Sequence, residues 1–426
     1  GRAPIARSST SVEEERYVNR YGLFVSALLL LGAADSAYAQ HEHHTAPESS
    51  TTWTFMQDGV LYALYNNQGG PRGGDEFRVP NWWMGMWSRP TGKSQLTLTT
   101  MFSLDPATVG KSGYGEIFQV GEALEGKPLV DRQHPHDLFM QLGASWRKPI
   151  NERTGFTLAG GLAAEPALGP VAFMHRASAA DNPMAPLSHH TFDSTHIAFG
   201  VVTAAVDRGK WTLEGSVFNG REPDEHRWDF DFGALDSVSG RLWFRPTAEW
   251  ELQVSTGHLI DPEELEPGNV QRTTASASWM RQQGEGFSAV TSGYGVNAAH
   301  GTTRQAVFTE GTRRRGKVSL FGRAEVVQVE TAKLLGDDVH VHDAQLTDTV
   351  GAFTFGGLRD IVSWKGFEGG LGAQLTLYAV PERLTSTHGD HPVSFQVFFR
   401  LRPPTFGMGR MWNMRMTQPM AGHRMR

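Results

Sequence analysis

Cysteine is absent from all 426 residues. That excludes a disulfide framework, a thiolate metal site, a cysteine nucleophile and a lipoprotein anchor. Beyond residue 40 there is no apolar run of the roughly 20 residues that a membrane-spanning helix needs, and no amphipathic helix of convincing length. Neither sign of charge dominates: 39 basic and 45 acidic residues leave a net −6, a balance that offers nothing to nucleic acid. No G-x-S-x-G turn sits between a strand and a helix. Ser188-His189 and Ser194-Thr195-His196 place hydroxyls beside imidazoles, but a catalytic triad is built by geometry rather than by adjacency. The glycine-rich "GGPRGGDEF" at 69–77 lacks the following helix of a phosphate cradle and reads as a flexible loop.

What the chain has in quantity is glycine, at 48 residues, and aromatics, with 12 Trp and 24 Phe. At the N-terminus Arg16 and Arg20 precede an apolar run from Leu23 to Leu31, and Ala37-Tyr38-Ala39 forms an A-x-A pattern before Gln40. This is the pattern of a secretory signal peptide, too short to span a bilayer. Residues 1–16 lie upstream of an ordinary n-region and are set aside from the fold. The expected mature chain starts near Gln40 with a His-rich segment over 40–51.

From there the dominant signal is alternation with period 2 over roughly ten residues, repeated many times. In 208–220, Trp211, Leu213, Gly215 and Val217 oppose Thr212, Glu214 and Ser216. In 317–330, Val318, Leu320 and Val326 oppose Ser319, Arg323 and Glu325. A β-sandwich and a membrane barrel both alternate. Three features favour the barrel: tight turns ("DRGK", "PTAE", "QGEG", "RRRGK") alternate with long connections at 105–135 and 165–192; Trp82, Trp83, Trp146, Trp211 and Trp250 recur near strand ends; and the chain carries an export signal without Cys. The reading is all-β, a transmembrane antiparallel β-barrel of about 16 strands with short periplasmic turns and long outer loops. The strands fall near 53–65, 81–89, 94–104, 137–148, 154–164, 193–206, 210–221, 237–246, 249–260, 271–282, 286–298, 303–312, 317–330, 346–356, 367–380 and 392–402.

The last strand, "HPVSFQVFFRL", is similar to the C-terminal aromatic strand that the barrel-assembly machinery reads in Gram-negative outer-membrane proteins. Over Thr51–Arg402 the chain resembles that porin-like class. The string of loop motifs also resembles a poorly characterised barrel family associated with metal and copper tolerance. The resemblance implies an outer-membrane location, a lipid-covered wall, insertion through the strand at 392–402, and room for a homo-oligomer. One departure is that the chain continues past that strand, as a Met-rich tail over 403–426 expected to stay in the periplasm.

The 17 histidines gather in loops. "HEHH" follows the cleavage site. His134, His136, His175, His189, His190, His196 and His226 lie in or beside outer loops, interleaved with Asp131, Asp137, Asp181, Asp193, Asp224 and Asp229, and "HVH" and "HGDH" follow. Imidazole with carboxylate suits Cu(II), Zn, Ni or Fe(II). Pro135 stiffens the pair His134 and His136 by fixing its φ. The tail adds Met411, Met414 and Met416 among its thioethers, soft ligands that suit Cu(I). His134, His136, Asp137, His175, His189, His190 and His196 are therefore the ligand candidates, and a barrel that binds or passes a transition metal, copper first, is the expected function. A diffusion porin whose histidines serve only a structural network, and an outer-membrane hydrolase, are the competing readings. "HPHD" itself (134–137) is a loop-to-strand junction first and a metal clamp second.

Overall fold

The computed structural model describes residues 52–336, 346–405 and 410–418. The signal peptide, "HEHH", "HVH", Met408, Met420, His423 and Met425 lie outside the described residues.

The alternating segments become strands of a closed antiparallel ring. It opens with β1 (Thr54–Gln68), β2 (Gly74–Arg78), β3 (Asn81–Thr91) and β4 (Ser94–Phe102). A hairpin of β5 (Tyr114–Leu124) and β6 (Lys127–Gln133) follows as a separate sheet. The ring resumes with β7 (Phe139–Asn151), β8 (Thr154–Ala164), β9 (Ala198–Arg208), β10 (Trp211–Phe218), β11 (Ser237–Phe244), β12 (Trp250–Leu259) and β13 (Val270–Gln283). It ends with β14 (Gly286–Ala299), β15 (Thr302–Arg315), β16 (Val318–Glu330), β17 (Thr347–Trp364), β18 (Phe367–Ala379) and β19 (Val393–Arg402). β19 pairs with β1 at Leu61↔Leu401, and β1 pairs with β3 at Phe55↔Trp87, so the first and last strands meet and no edge remains. Of the 17 strands in this sheet, β2 only prolongs β3 against the outer half of β1, which leaves 16 around the barrel.

Each expected strand has its counterpart in the ring. Two local readings change. "GGPRGGDEF" is not a free loop, because Gly74–Arg78 pairs with β1 from Leu64↔Arg78 to Gln68↔Gly74. β17 runs on to Trp364, through a bulge between Asp360 and Val362 whose extra residue breaks the period-2 pattern.

Alternation decides which side chains meet lipid. On β10, Trp211, Leu213 and Val217 point outward at 49%, 60% and 43% exposure, while Thr212, Glu214 and Ser216 are buried inside. On β16, Leu320 and Val326 point out, and Arg323 and Glu325 point in. Such a belt is an aggregation surface in water, but in a bilayer it is the stable face of a barrel whose backbone is fully paired. The chain is an outer-membrane-type β-barrel. Trp146, Trp211, Trp250 and Trp364 mark the rim at the short turns. Trp82 was expected there too, but it faces inward, its ring 5.1 Å from that of His175. Tight turns follow from residues free to take positive φ, such as Gly209 (+59°) and Gly316 (+56°).

The lumen is filled. Residues 165–197, between β8 and β9, are buried almost throughout and lie inside the ring. Arg176 of this plug bridges Asp193 (2.8 Å) and Glu310 of β15 (2.6 Å). Ser188 Oγ donates to Glu325 of β16 at 2.8 Å, Arg272 of β13 donates to Ser194 Oγ at 2.9 Å, and Asp181 pairs with Arg400 of β19. Lumen charges that suit a water channel in the sequence thus serve to hold a plug. Of the tail, residues 410–418 turn back into the barrel. The inner-wall carboxylates draw them there, Arg410 pairing with Asp58 at 3.1 Å and Arg415 approaching Glu214 at 3.7 Å while lying 3.9 Å over the Trp243 ring.

Candidate metal centre

"HPHD" lies between the end of β6 and the start of β7, where the inner hairpin returns to the barrel wall. The backbone is pinned by Asp105, which opens the one-turn helix Asp105–Thr108. Its Oδ2 accepts from His136 Nδ1 at 2.9 Å and from the His136 backbone N–H at 3.3 Å, and its Oδ1 accepts the N–H of Asn81 at 2.9 Å. His134 Nδ1 lies 3.1 Å from Glu122 Oε1 on β5. The plug faces this junction. A single helical turn, His189–Phe192, sets His189 four residues before Asp193, and its Nδ1 meets Asp193 Oδ1 at 2.8 Å. His196 Nδ1 donates to the Asp193 carbonyl at 2.8 Å.

Five imidazoles then touch in sequence. The rings of His134, His189 and His190 form a triangle with centroid separations of 5.5, 5.5 and 5.3 Å. His196 is 5.2 Å from His189, and His136 is 5.6 Å from His196. Imidazoles around one tetrahedral ion, with metal–nitrogen bonds of about 2.0–2.1 Å, have centroids about 5 Å apart. With Nδ1 of His134, His136, His189 and His196 donating to an oxygen, Nε2 of each keeps its lone pair, and all four Nε2 atoms are buried with no hydrogen-bond partner. This is the arrangement by which an outer carboxylate orients a metal-ligating histidine. His388, of "HGDH", makes the contrast: Nδ1 contacts Thr387 Oγ1 at 2.8 Å and Nε2 contacts Asp131 at 2.9 Å, so both nitrogens are satisfied. The cluster is spaced for a metal but not closed on one. Among the described residues, only Asp224, Asp229 and Asp231 form a trio with donor atoms within 4.8 Å of one another. Loading the imidazoles therefore requires their rings to swivel.

Burial sets the protonation. It holds His134 and His196 well below the usual imidazole range, helped by neighbouring imidazoles, and lowers His175 to about 4. His189 is lowered by burial against the pull of Asp193. These rings are neutral at neutral pH, the form that ligates. His190 differs: burial opposes its proton, but Glu222, 3.6 Å away at an ion-pair separation, raises it. Burial likewise works to raise Glu222, yet the contact with His190 prevails and lowers it to about 2.

Of the candidates read from sequence, His134, His136, His189, His190 and His196 come together. His175 lies beside them, 5.1 Å from the Trp82 ring. Asp137 instead accepts from Arg227 at 3.3 Å, and Arg227 also pairs with Glu122, so this carboxylate braces the anchor of His134. Burial pushes Asp137 up to about 6 although Arg227 opposes it. Met414 and Met416 line a cavity that His175 and His196 also line, whereas Met411 is buried with its N–H donating to Asp58 at 3.2 Å. Glu122, Asp105 and Glu222 were missed. Their roles depend on loops packing from opposite sides of the lumen, and no spacing in the sequence announces that. Toward the outer end a cavity of about 500 Å³ is lined by Glu122, Glu222, Asp224, Asp231, Glu263 and Glu264.

No family model matches the chain, and no curated protein matches it. Among solved structures it is similar to a loop-deletion mutant of OmpT, an outer membrane protein of Vibrio cholerae (9% identity, TM-score 0.49, 82% of this chain and 99% of that one). It is also similar to the anion-selective porin from Comamonas acidovorans (8%, 0.47, 82% and 100%) and to OprB of Pseudomonas putida (9%, 0.49, 83% and 94%).

Proposed function

For an outer-membrane barrel filled in this way, we propose that the chain binds a transition-metal ion, copper in the first place, at the imidazole cluster and passes it along the lumen. One observation carries the reading: four buried imidazoles each have Nδ1 held by an oxygen and Nε2 left without a partner. Leaving a buried polar atom unsatisfied costs about 1–3 kcal/mol, so four together are a standing penalty that a bound ion relieves. The acidic cavity above concentrates cations at the mouth, and His190 with Glu222 stands between that mouth and the cluster.

A general diffusion pore draws support from the strand number, and for that reading the plug, the hairpin and the tail would narrow the lumen. A hydrolase finds no support in the histidine contacts, since the oxygens that hold these rings are carboxylates and a carbonyl, not a serine hydroxyl.

The test is a titration of the detergent-purified full chain with Cu(II), Zn(II) and Co(II), beside His134→Ala/His189→Ala. The expected result is one tightly held ion in the parent and none in the double variant, both with the same barrel circular dichroism. A parent that holds no ion above background removes the metal reading and leaves the porin.

A further inference from the structure

Below the imidazoles lies a cavity with about 30 Å³ of free space, enough for an ion or a water. Its walls are unusual for a barrel lumen. β3, β4 and β7 contribute Met84, Met86, Met101 and Met140, the plug contributes Met174, and the tail contributes Met414 and Met416. Half of the chain's 14 methionines thus meet at one point, brought there by five separate segments. The wall methionines are neighbours in the ladder. Met84 pairs with Met101, and Met101 pairs with Gln141, next to Met140. Elsewhere the inward positions mix polar and charged groups with aromatic or aliphatic ones, as Thr212, Glu214, Ser216 and Phe218 do on β10 and Ser319, Phe321, Arg323 and Glu325 do on β16, without a cluster of thioethers.

Methionine is also a common filler of apolar cores. A filler closes the space it lines, and here the thioethers surround space that stays open. The charged groups at the cavity are already spent: Glu165 pairs with Arg241 at 2.9 Å, and Arg415 lies between Glu214 and Glu251 at 3.7 and 3.6 Å. What remains to face an ion is mainly sulfur, with the imidazoles of His175 and His196 and the uncharged side chains of Thr99 and Gln141. Neutral soft donors without a free carboxylate select a soft cation of low charge, because burying a divalent ion there without an anion is far more costly.

We infer that this methionine-lined cavity is a binding site for a soft monovalent d10 cation, Cu(I) in the cell, distinct from the imidazole cluster and joined to it through His196. Imidazole also ligates copper, so an ion moves between the two sites without a change of oxidation state. The inward Met414 and Met416 make the tail part of this site.

Ag(I), a soft cation of the same charge, is the probe. Bound silver is measured by equilibrium dialysis on the full chain in detergent, and its neighbours are read by silver-edge X-ray absorption. The parent is expected to hold one Ag(I) with sulfur scatterers. Met84→Leu/Met101→Leu and Met414→Leu/Met416→Leu, near-isosteric changes that cores tolerate, should each weaken it at least tenfold. Met184→Leu, in a different buried cavity, should leave it unchanged. His134→Ala/His189→Ala should lose Co(II) and keep sulfur-bound Ag(I), which separates this site from the imidazole reading. Silver held through nitrogen alone in the parent, or undiminished in both methionine pairs, overturns the inference. The parent spectrum decides by itself if the leucine variants fail to fold.

Discussion

His136 and Asp105 are 31 residues apart in the chain and 2.9 Å apart in the barrel, Nδ1 to Oδ2, with the other carboxylate oxygen tied to the head of β3 through Asn81. The contact fixes both the tautomer and the tilt of the imidazole, and so where its free Nε2 points. Replacing a carboxylate that orients a ligand histidine typically lowers metal affinity 10–100-fold. Asp105→Asn keeps the size and one acceptor, so the barrel should fold. Metal titration should give weakening in that range, with unchanged affinity at His136→Ala/Asp105→Asn relative to His136→Ala alone. Additive losses in that double variant would mean that Asp105 acts by some route other than His136.

Gly121 on β5 supports His190 by having no side chain. A Cβ there would lie 2.1 Å from His190 Cε1 and 2.2 Å from Nε2, so the ring has to leave its place. Gly121→Ala should therefore mimic His190→Ala in ion titrations while leaving the barrel wall, on the other sheet, unaltered. The combined variant should be no worse than either alone, because both displace the same imidazole. An alanine variant with parental affinity would exclude His190 from the coordination sphere.

The wall was legible because lipid outside and polar groups inside impose one period on every strand, so the bounds of β8 read from sequence match those in the structure. The contents of the lumen were not. The β5–β6 hairpin is broken by register shifts between Gly115 and Val120 and between Gly121 and Ala123, which erase the alternation that signals a strand. The plug reads as a loop because its fixing partners, such as Glu310 for Arg176 and Arg400 for Asp181, lie more than a hundred residues away. The histidines could be grouped from sequence because Pro135 and the neighbouring carboxylates marked them. Met84, Met86, Met101 and Met140 stood in plain view on inward positions of the predicted strands, and the mixed apolar character of Met hid them among lipid-facing residues.

Acid should loosen the plug through His175. Burial lowers its pKa from 6.5 to about 4, so the folded state holds the proton more weakly than the unfolded chain does. The stability from keeping this ring neutral is complete above about pH 6.5 and is lost as pH falls toward 4. That gap is worth about 3 kcal/mol at 1.36 kcal/mol per pH unit. The protease sensitivity of residues 165–197 in the detergent-purified barrel should rise through that window, and His175→Phe should flatten the rise. A rise that persists in His175→Phe would assign it to the other neutral imidazoles of the cluster.

Arg176 is the residue on which closure of the lumen turns. It is buried between Asp193 of the plug and Glu310 of the wall, each at most 2% exposed. Breaking a buried ion pair by removing one partner costs about 3–5 kcal/mol. Glu310 retains Arg323 at 2.9 Å, so the cost falls on the plug side, where Asp193 also positions His189 and His196. The strand ladder is untouched, and Arg176→Met should therefore insert and close as a barrel. Two readouts should move together: conductance in planar bilayers should rise from a low parental level, and metal affinity should fall as the rings lose their anchor. A parent that already conducts as an open pore, with no change on Arg176→Met, would show that the packed loop does not block passage and that solutes find another way through the lumen.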